Sequence, residues 1–274
     1  MDIIPKKYSL GILKLLEISK KITSNVAKVN AEFGLIKEGD RVIVGFSGGK
    51  DSLTLIHTLN RMKKKAPFKF DFKAITVTYG MGEQVEFLSN HCKEHEIEHQ
   101  IIDTQIFDLA GEKIRKNSSF CSFFSRMRRG YLYTTALEQG YNKVALGHHL
   151  DDAMESYFMN LFYNGTMRTM PPKYTANNGL EVIRPLIFCR ERQLRAFAAS
   201  NEIRVIGDEA CPGLRFDVKM PHARAATKEL LAKLEEQNPD IFVSMKSAFS
   251  NIQLPTFFYK DLKDIKLNIE DENI

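Results

Sequence analysis

The chain has 274 residues, of which 43% are hydrophobic and 27% are charged. This balance excludes a collagen-like, a disordered or a disulfide-rich small protein, and the length fits one large domain or one domain with appendages. The formal net charge of +5 is compatible with an anionic partner but does not prove one.

The four cysteines lie far apart in the sequence and form no CxxC pair: Cys92, Cys121, Cys189 and Cys211. Their spacing excludes a zinc finger or ribbon of standard spacing. The first residues lack a basic flank followed by an apolar core, and no apolar run approaches the roughly 20 residues of a membrane span. We therefore expect a cytoplasmic protein without membrane contact, whose cysteines are free thiols or ligands.

The predicted elements alternate between strands and helices. An amphipathic helix from Leu10 to about Phe33 comes first, because apolar residues recur there every three or four positions. Strands are then predicted at 41–46, 72–78, 98–102, 143–146 and 180–183, and helices at 51–65, 83–94, 122–138, 152–162, 191–199, 221–236 and 240–252. This alternation predicts an α/β fold with a five-stranded parallel sheet, flanking helices and helical extensions at both ends.

A glycine-rich segment follows the first predicted strand and opens a helix. This glycine loop is Ser47-Gly48-Gly49-Lys50-Asp51-Ser52. Two glycines let backbone N–H groups approach an anion, the serine hydroxyls add donors, and the lysine adds positive charge. The spacing does not fit GxxxxGK[ST], since lysine stands where the second glycine is required. The alternative interpretation is a tight turn with a helix cap.

A second polar segment, Gly147-His148-His149-Leu150-Asp151-Asp152, follows the fourth predicted strand. Parallel strands end at one edge of a sheet, so we expect it near the glycine loop. Its aspartates, with Asp51, are candidate Mg²⁺ ligands facing a triphosphate. The alternatives are that Asp152 and Glu155 form a helix cap and that the histidines are hydrogen-bonded at the strand end.

The glycine loop resembles the SGGxDS signature of the PP-loop ATP pyrophosphatases. Further segments resemble the tRNA 2-thiocytidine synthetase branch of that family: residues 121–130 (CSFFSRMRRG), 146–155 (LGHHLDDAME), 170–173 (MPPK) and 183–186 (IRPL). The resemblance implies a Rossmann-like domain that cleaves ATP between its α and β phosphates and transfers AMP to a carbonyl oxygen. With it, the predicted organisation is an N-terminal helical extension (1–38), a PP-loop ATP-binding domain (39–200) and an irregular cysteine-containing segment with C-terminal helices (201–274).

The resemblance also implies a sulfur-transfer site. Family members carry a CxxC before SRxRRG and a third cysteine downstream, which together hold a [4Fe–4S] cluster. Cys121 fits the first position and Cys211 the third, but Phe124 occupies the second and cannot ligate iron. Three interpretations stay open: Asp208, Asp217 or a small molecule completes the ligand set, the two cysteines act as a persulfide pair, or the site is vestigial. In GHHRDD, the family's other motif, Leu150 replaces the arginine.

Basic residues cluster near Cys121, and such a cluster is typical either of a solvated helix face or of a surface that follows an RNA backbone. Tyr131 and Tyr133 are candidates for stacking on a base, and Arg184 for a further RNA contact. The predicted RNA-binding residues are Arg126, Arg128, Arg129 and Lys173, with Lys113, Arg115 and Lys116 nearby.

The first functional hypothesis is an ATP-dependent, AMP-forming enzyme that adenylates the C2 oxygen of a tRNA cytidine for replacement by sulfur. Its partners would be tRNA, a sulfur donor protein or sulfide, and a second copy of the chain in a homodimer. One alternative is an adenylating enzyme with another nucleophile and no cluster, and another is a nucleotide- or RNA-binding protein that has lost catalysis. The predicted nucleotide site comprises Ser47, Gly48, Gly49, Lys50, Asp51, Ser52, Gly147 and His148; the predicted Mg²⁺ ligands are Asp51, Asp151 and Asp152; the predicted catalytic residues are Lys50, Asp151, Cys121 and Cys211.

Overall fold

The computed structural model describes residues 16–113, 120–207 and 222–258, and a twisted sheet forms the centre of this part of the chain. Its strands are β1 (Arg41–Gly45), β2 (Asp71–Val77), β3 (His99–Ile102), β4 (Lys143–Ala145), β5 (Lys173–Thr175) and β6 (Glu181–Ile183). The order across the sheet is β3-β2-β1-β4-β6-β5. All neighbouring pairs are parallel except β5 and β6, which are antiparallel.

Helices cover both faces of this sheet. They are α1 (Lys20–Phe33), α2 (Lys50–Lys65), α3 (Glu86–Glu94), α4 (Ile106–Lys113), α5 (Phe120–Glu138), α6 (Leu150–Tyr163), α7 (Glu191–Ser200), α8 (His222–Gln237) and α9 (Ile241–Ala248), followed by a 3₁₀ turn at Leu254–Thr256. No helix among the residues with described structure is long and apolar enough to cross a bilayer.

The predicted α/β fold with a mainly parallel sheet is confirmed, but the predicted count of five strands is wrong. The short strand β5 adds a sixth, antiparallel member at the edge, and α4 is a helix that the sequence pattern did not predict. The first helix begins at Lys20, because the Ser19 side chain accepts a hydrogen bond from the Ile22 N–H and caps it there. Residues 10–15 of the predicted helix lie outside the described residues, and the three-part domain division stays a prediction.

Strand β1 is buried on both faces, as expected for the middle of a parallel sheet. Val42 and Val44 pack into one hydrophobic core with α1, α2 and α7, whereas Ile43 packs into a second core with α5. A smaller cluster of Leu150, Met154, Leu231 and Phe242 joins α6 to α8 and α9.

The order of the strands places the candidate site. The chain runs from β1 outward to β2 and β3 and then returns to β4, on the other side of β1. At such a reversal the loops after the two adjacent strands diverge and leave a crevice, where open α/β sheets bind their ligands. The glycine loop after β1 and the turn after β4 border this crevice.

Candidate active site

The glycine loop is held in an open conformation by its own side chains. Gly48 has φ +77°, and a Cβ there would lie 2.7 Å from Ile206 Cδ1. The Ser52 hydroxyl accepts a hydrogen bond from the Ser47 N–H (3.2 Å) and donates one to the Gly49 carbonyl (3.0 Å). The loop therefore enters α2 with backbone N–H groups and the helix N-terminus available to an anion.

The turn after β4 packs directly on this loop through Gly147. A Cβ at Gly147 would lie 3.2 Å from both the Asp51 carbonyl carbon and the Ser52 nitrogen. A Cβ atom rarely makes a contact this short. Because glycine has no side chain, the backbone of the turn can pack directly against the backbone of the loop. The predicted proximity of the two polar segments is thus observed.

A pocket of about 790 Å³ opens beside the glycine loop. This volume lies in the range of small-molecule and cofactor sites. Ser47, Gly49, Lys50 and Asp51 line it, together with the end of β2 and the following turn. Gly48, Ser52, Gly147 and His148 are not among its lining residues, and their part in nucleotide binding stays a prediction. The remaining charged lining residues are Glu83, Arg128, Glu191, Arg195, Arg204 and Lys228.

Lys50 is fixed at the pocket wall between two carboxylates. Its Nζ lies 3.1 Å from Glu191 Oε1 and 3.3 Å from Asp51 Oδ2. Burial lowers the pKa of Lys50, but the two carboxylates outweigh burial and raise it. The ammonium group is therefore charged at neutral pH and available to a phosphate.

Asp51 has the properties of a cation ligand. Its Oδ1 atom is buried and, in the described part of the chain, has no hydrogen-bond partner; His149 Nε2 lies 3.8 Å from it. Burial raises the pKa of this carboxyl, although His149 and Lys50 lower it. An unpartnered carboxylate oxygen at the pocket fits Mg²⁺, a hard cation that prefers oxygen ligands.

Asp151 and Asp152, by contrast, are already bound by protein groups. Asp151 accepts hydrogen bonds from Arg190 Nε (3.1 Å) and from the Glu191 N–H (2.8 Å). Asp152 accepts one from Arg224 Nη2 (2.8 Å), and its other oxygen accepts one from the His149 N–H (3.0 Å). The predicted helix cap exists, but Asp152 forms it with His149 and not with Glu155.

His148 faces away from the pocket, towards a buried arginine. Arg184 Nε donates a hydrogen bond to His148 Nδ1 (3.1 Å), and Arg184 itself is fully buried. Burial and the adjacent guanidinium lower the pKa of His148 to about 3, so the ring is neutral. Because Arg184 is buried, it offers no surface to RNA, and the expectation of a contact there is wrong.

Phe124 belongs to an aromatic cluster beneath the pocket. The side chain is 3% exposed, and its ring centroid lies 5.5 Å from that of Tyr79, 5.6 Å from Phe123 and 6.4 Å from Phe107. Position 124 therefore supplies hydrophobic contact and no metal ligand. The residues present do not fit a cluster held by three cysteines, because Cys121 and Cys211 are the two that remain.

The four cysteines fall into two groups. Cys92 and Cys189 are fully buried, and burial raises the pKa of each thiol to about 12, so both are inert core residues. Cys121 lies on α5, three residues before Phe124. Cys211 lies outside the described residues, as do Asp208, Asp217, Arg115 and Lys116.

The predicted RNA-binding residues do not share one environment. Arg126 is exposed, whereas Arg128 lines the pocket and donates a hydrogen bond to the Tyr79 hydroxyl (2.8 Å). Arg129 is partly exposed, and Lys173 lies 3.4 Å from Glu181 on the adjacent strand β6. The Tyr133 hydroxyl forms a hydrogen bond with the Tyr174 hydroxyl (2.9 Å), and the Tyr133 ring packs against the second hydrophobic core.

Sequence reasoning missed the contribution of α7 and α8. Glu191 holds Lys50 at the start of α7, and Lys228 on α8 binds Glu191 at 2.9 Å. The predicted helix at 191–199 followed a strand, so its first residues could have been assigned to the same sheet edge. The participation of Lys228 has no sequence signal.

Comparisons with known proteins agree with this geometry. The profile of the PP-loop domain matches residues 17–219. The chain belongs to the PP-loop family. It is 42% identical to the tRNA-cytidine(32) 2-sulfurtransferase of Geobacter metallireducens, over 85% of this chain and 90% of that protein. It is 38% identical to the protein of the same name from Syntrophotalea carbinolica, over 89% of this chain and 94% of that protein. The predicted PP-loop membership is thereby confirmed.

A solved PP-loop structure shows the same fold. It is the U34-tRNA thiolase NcsA from Methanococcus maripaludis with its [4Fe-4S] cluster, with a TM-score of 0.69 and 23% identity. The similarity covers 88% of this chain and 81% of that one. At this level of identity the likeness concerns the fold alone.

Proposed function

We propose that this protein is an ATP-dependent, AMP-forming tRNA-cytidine 2-sulfurtransferase. The observation that carries the proposal is the glycine loop at the wall of a nucleotide-sized pocket, with Lys50 and the unpartnered Asp51 oxygen beside it. The curated relatives, which are PP-loop proteins named for the same reaction, support the choice of substrate.

The chain's own residues would bind and divide the triphosphate. The loop amides and Lys50 hold the β and γ phosphates, which leave together as pyrophosphate. The cytidine C2 oxygen attacks the α-phosphorus, the bond to the β-phosphate breaks, and C2 becomes linked to AMP. Lys50 must then exchange part of its contact with Glu191 for phosphate, and Lys228 keeps Glu191 in place during this exchange.

Asp51 would hold Mg²⁺, which supplies charge neutralisation at the triphosphate when it is bound. Asp151 and Asp152 contribute differently from the sequence expectation. Their bonds to Arg190 and Arg224 make them supports for the starts of α6 and α7. Either would have to release an arginine before it could bind the cation.

Sulfur delivery is assigned to Cys121 and Cys211 as thiols, because Phe124 removes a ligand from the family's cluster set. A sulfur donor protein that carries a persulfide would transfer its outer sulfur to one cysteine thiolate, which leaves the donor as a free thiol and this cysteine as a persulfide. Its terminal sulfur attacks C2 and AMP leaves; the second thiolate then attacks the inner sulfur, releasing 2-thiocytidine and forming a disulfide. A thiol reductant returns both cysteines to the starting state.

The tRNA backbone would be bound by Arg126, Arg129 and Lys173, with Arg128 at the pocket beside Tyr79. Phosphate contacts of this kind fix the position of an RNA without selecting its sequence. The helical ends at 1–38 and 201–274 are proposed as extensions of the central ATP-binding domain.

The decisive experiment separates adenylation from sulfur transfer. Purified protein is given ATP, Mg²⁺, a persulfide donor, a thiol reductant and tRNA that lacks 2-thiocytidine, and pyrophosphate release and nucleoside mass are measured. We expect Lys50→Ala to abolish both, Cys121→Ala to abolish only 2-thiocytidine, and the distant Lys63→Ala to change neither. Thiolation that persists in Cys121→Ala would overturn the assigned sulfur route.

One observation favours a second candidate. The buried aromatic side chain at position 124 is also what an adenylating enzyme with another nucleophile and no cluster would have. Pyrophosphate release that depends on tRNA but yields no 2-thiocytidine with sulfide or a persulfide donor would select this candidate.

A further inference from the structure

Three histidines converge between α2 and α3, outside the pocket beside the glycine loop. His57 lies two turns into α2, His91 lies on α3, and His95 caps the C-terminal end of α3. His57 Nε2 and His91 Nε2 are 2.7 Å apart. One nitrogen of each ring can be chosen so that all three lie within 4.8 Å of one another. We call this group the histidine trio.

The trio is built into the packing of two helices. His91 and His95 are four residues apart, so they stand one above the other on the same side of α3. The ring of His57 is 5.0 Å from that of His91 and 4.7 Å from that of His95, measured between centroids. Asn60 on α2 donates a hydrogen bond to the His95 carbonyl (2.9 Å), which fixes the end of α3 against α2.

The chemical state of the rings suits a metal. Burial, followed by the neighbouring imidazoles, lowers the pKa of His57 to about 3 and that of His91 to about 4. Burial also lowers the pKa of His95, which Glu94 raises and Lys64 lowers. Neutral imidazole is the form that binds metals. Lys64 is itself paired with Glu96 at 3.1 Å, which reduces its repulsion of a cation.

Access and competing ligands also favour the trio. His57 is 5% exposed, but His91 and His95 are partly exposed, so an ion can enter from solvent. The neighbouring Cys92 is fully buried with a protonated thiol, so it does not compete for the metal. No residue of the trio lines the pocket beside the glycine loop.

We propose that His57, His91 and His95 form a zinc site that joins α2 to α3, with three imidazole nitrogens and one water as ligands. Zn–N bonds of about 2.0–2.1 Å at tetrahedral angles separate the nitrogens by about 3.4 Å. To bind zinc, the His57 and His91 nitrogens, now 2.7 Å apart, would move further apart, and the most distant pair of nitrogens would move closer. Rotations of the rings and small shifts of the side chains allow both changes. The site is independent of the proposed function.

The test compares zinc binding by the full chain, without an affinity tag, and by variants. After dialysis against a zinc buffer, bound metal is measured by mass spectrometry, and Co²⁺ is used as an absorbing substitute. We expect His91→Gln/His95→Gln to bind one zinc fewer than the wild type and to lose the tetrahedral Co²⁺ spectrum of the trio. His99→Gln is the matched control, since His99 bonds to Thr76 and Ser89 outside the trio.

A second measurement covers the case of a destabilised variant. Zinc at about a hundredfold excess over its Kd should raise the Tm of the wild type and of His99→Gln by about 5 °C, and that of His95→Asn much less. Zinc bound by cysteines would remain bound in the histidine variants, so it would not produce the expected loss of one zinc. Equal zinc content and equal Tm shifts in all variants would overturn the proposal and leave the trio a set of packed core histidines.

Discussion

Phe124 connects a buried aromatic cluster to a residue of the pocket. Its ring packs against Tyr79, and Tyr79 in turn receives a hydrogen bond from Arg128 at the pocket. The phenylalanine therefore supports a residue of the pocket. Aromatic contacts of this kind contribute about 0.5–1.5 kcal/mol beyond simple burial.

Gly48 is the residue on which the conformation of the loop most depends. We expect Gly48→Ala to weaken ATP binding by about tenfold or more, since the substitution strains a positive φ and pushes Ile206 off the loop. Gly165→Ala is the matched control, because Gly165 has φ +61° and open space around its Cβ. Calorimetric titration with a non-hydrolysable ATP analogue measures both. Equal affinities for Gly48→Ala and wild type would contradict the role of this contact.

At the scale of elements, α8 is attached to the site mainly by ion pairs. Arg190 lies between Asp151 at the start of α6 and Glu235 on α8, with its guanidinium 3.4 Å from the centroid of the Phe242 ring on α9. Leu150 packs into a hydrophobic cluster with Leu231 and Phe242. This contact adds to the attachment of the C-terminal helices.

Removal of Arg190 tests this attachment. We expect Arg190→Ala to lower the free energy of unfolding by about 2 kcal/mol, because Asp151 and Glu235 lose the guanidinium that they share while each keeps one other partner. Arg192→Ala removes a contact to the same Glu235 from a side chain that is 66% exposed, and it should cost under about 0.5 kcal/mol. Urea unfolding measures both variants. Similar losses for the two would contradict the attachment.

The strands of the parallel sheet were predictable, and the antiparallel edge strand β5 was not. The five parallel strands and the helices between them follow from runs such as Val42-Ile43-Val44. Strand β5 has three residues, and its position depends on pairing with β6, which local sequence does not specify. The helix predicted from 83 begins at Glu86, because the Glu83 side chain instead accepts hydrogen bonds from the Tyr79 and Met81 N–H groups.

The same distinction applies to the site. The glycine loop and the histidine–aspartate turn were predictable because each follows a strand in the chain. The partners of Asp151 and Asp152 were not predictable, because Arg190 and Arg224 lie 39 and 72 residues away from them in the chain. In the histidine trio, the four-residue spacing of His91 and His95 can be read from the sequence. The contact with His57 cannot, because it depends on the packing of α2 against α3.

At the scale of the whole molecule, Glu191 links the site to acid stability. Burial raises its pKa, but hydrogen bonds from Lys228 and Lys50 lower the pKa to about 2, against 4.5 for a free side chain. A lowered carboxyl pKa contributes stability above about pH 4.5 that is lost as pH falls towards about 2.

We therefore expect Glu191→Gln to be less stable than wild type by about 1 kcal/mol at pH 7, a value that allows for solvent screening. The difference should shrink as pH falls below about 4.5, because the protonated carboxyl comes to resemble the amide. Urea unfolding at pH 7, 5 and 3.5 measures this difference, with Glu138→Gln as an exposed control. A difference that does not change with pH would contradict the assigned ion pairs.

The reversal of strand order between β1 and β4 also bears on how the protein is made. Val42 pairs with Lys143, about 100 residues later in the chain. A nascent chain therefore carries its glycine loop through most of the synthesis of the domain without the opposite wall of the crevice. Glu191 and Lys228, which line the pocket, come later still in the chain. A nucleotide in the pocket therefore stabilises the fold only after α7 and α8 are in place, and it favours completed domains over partly synthesised ones.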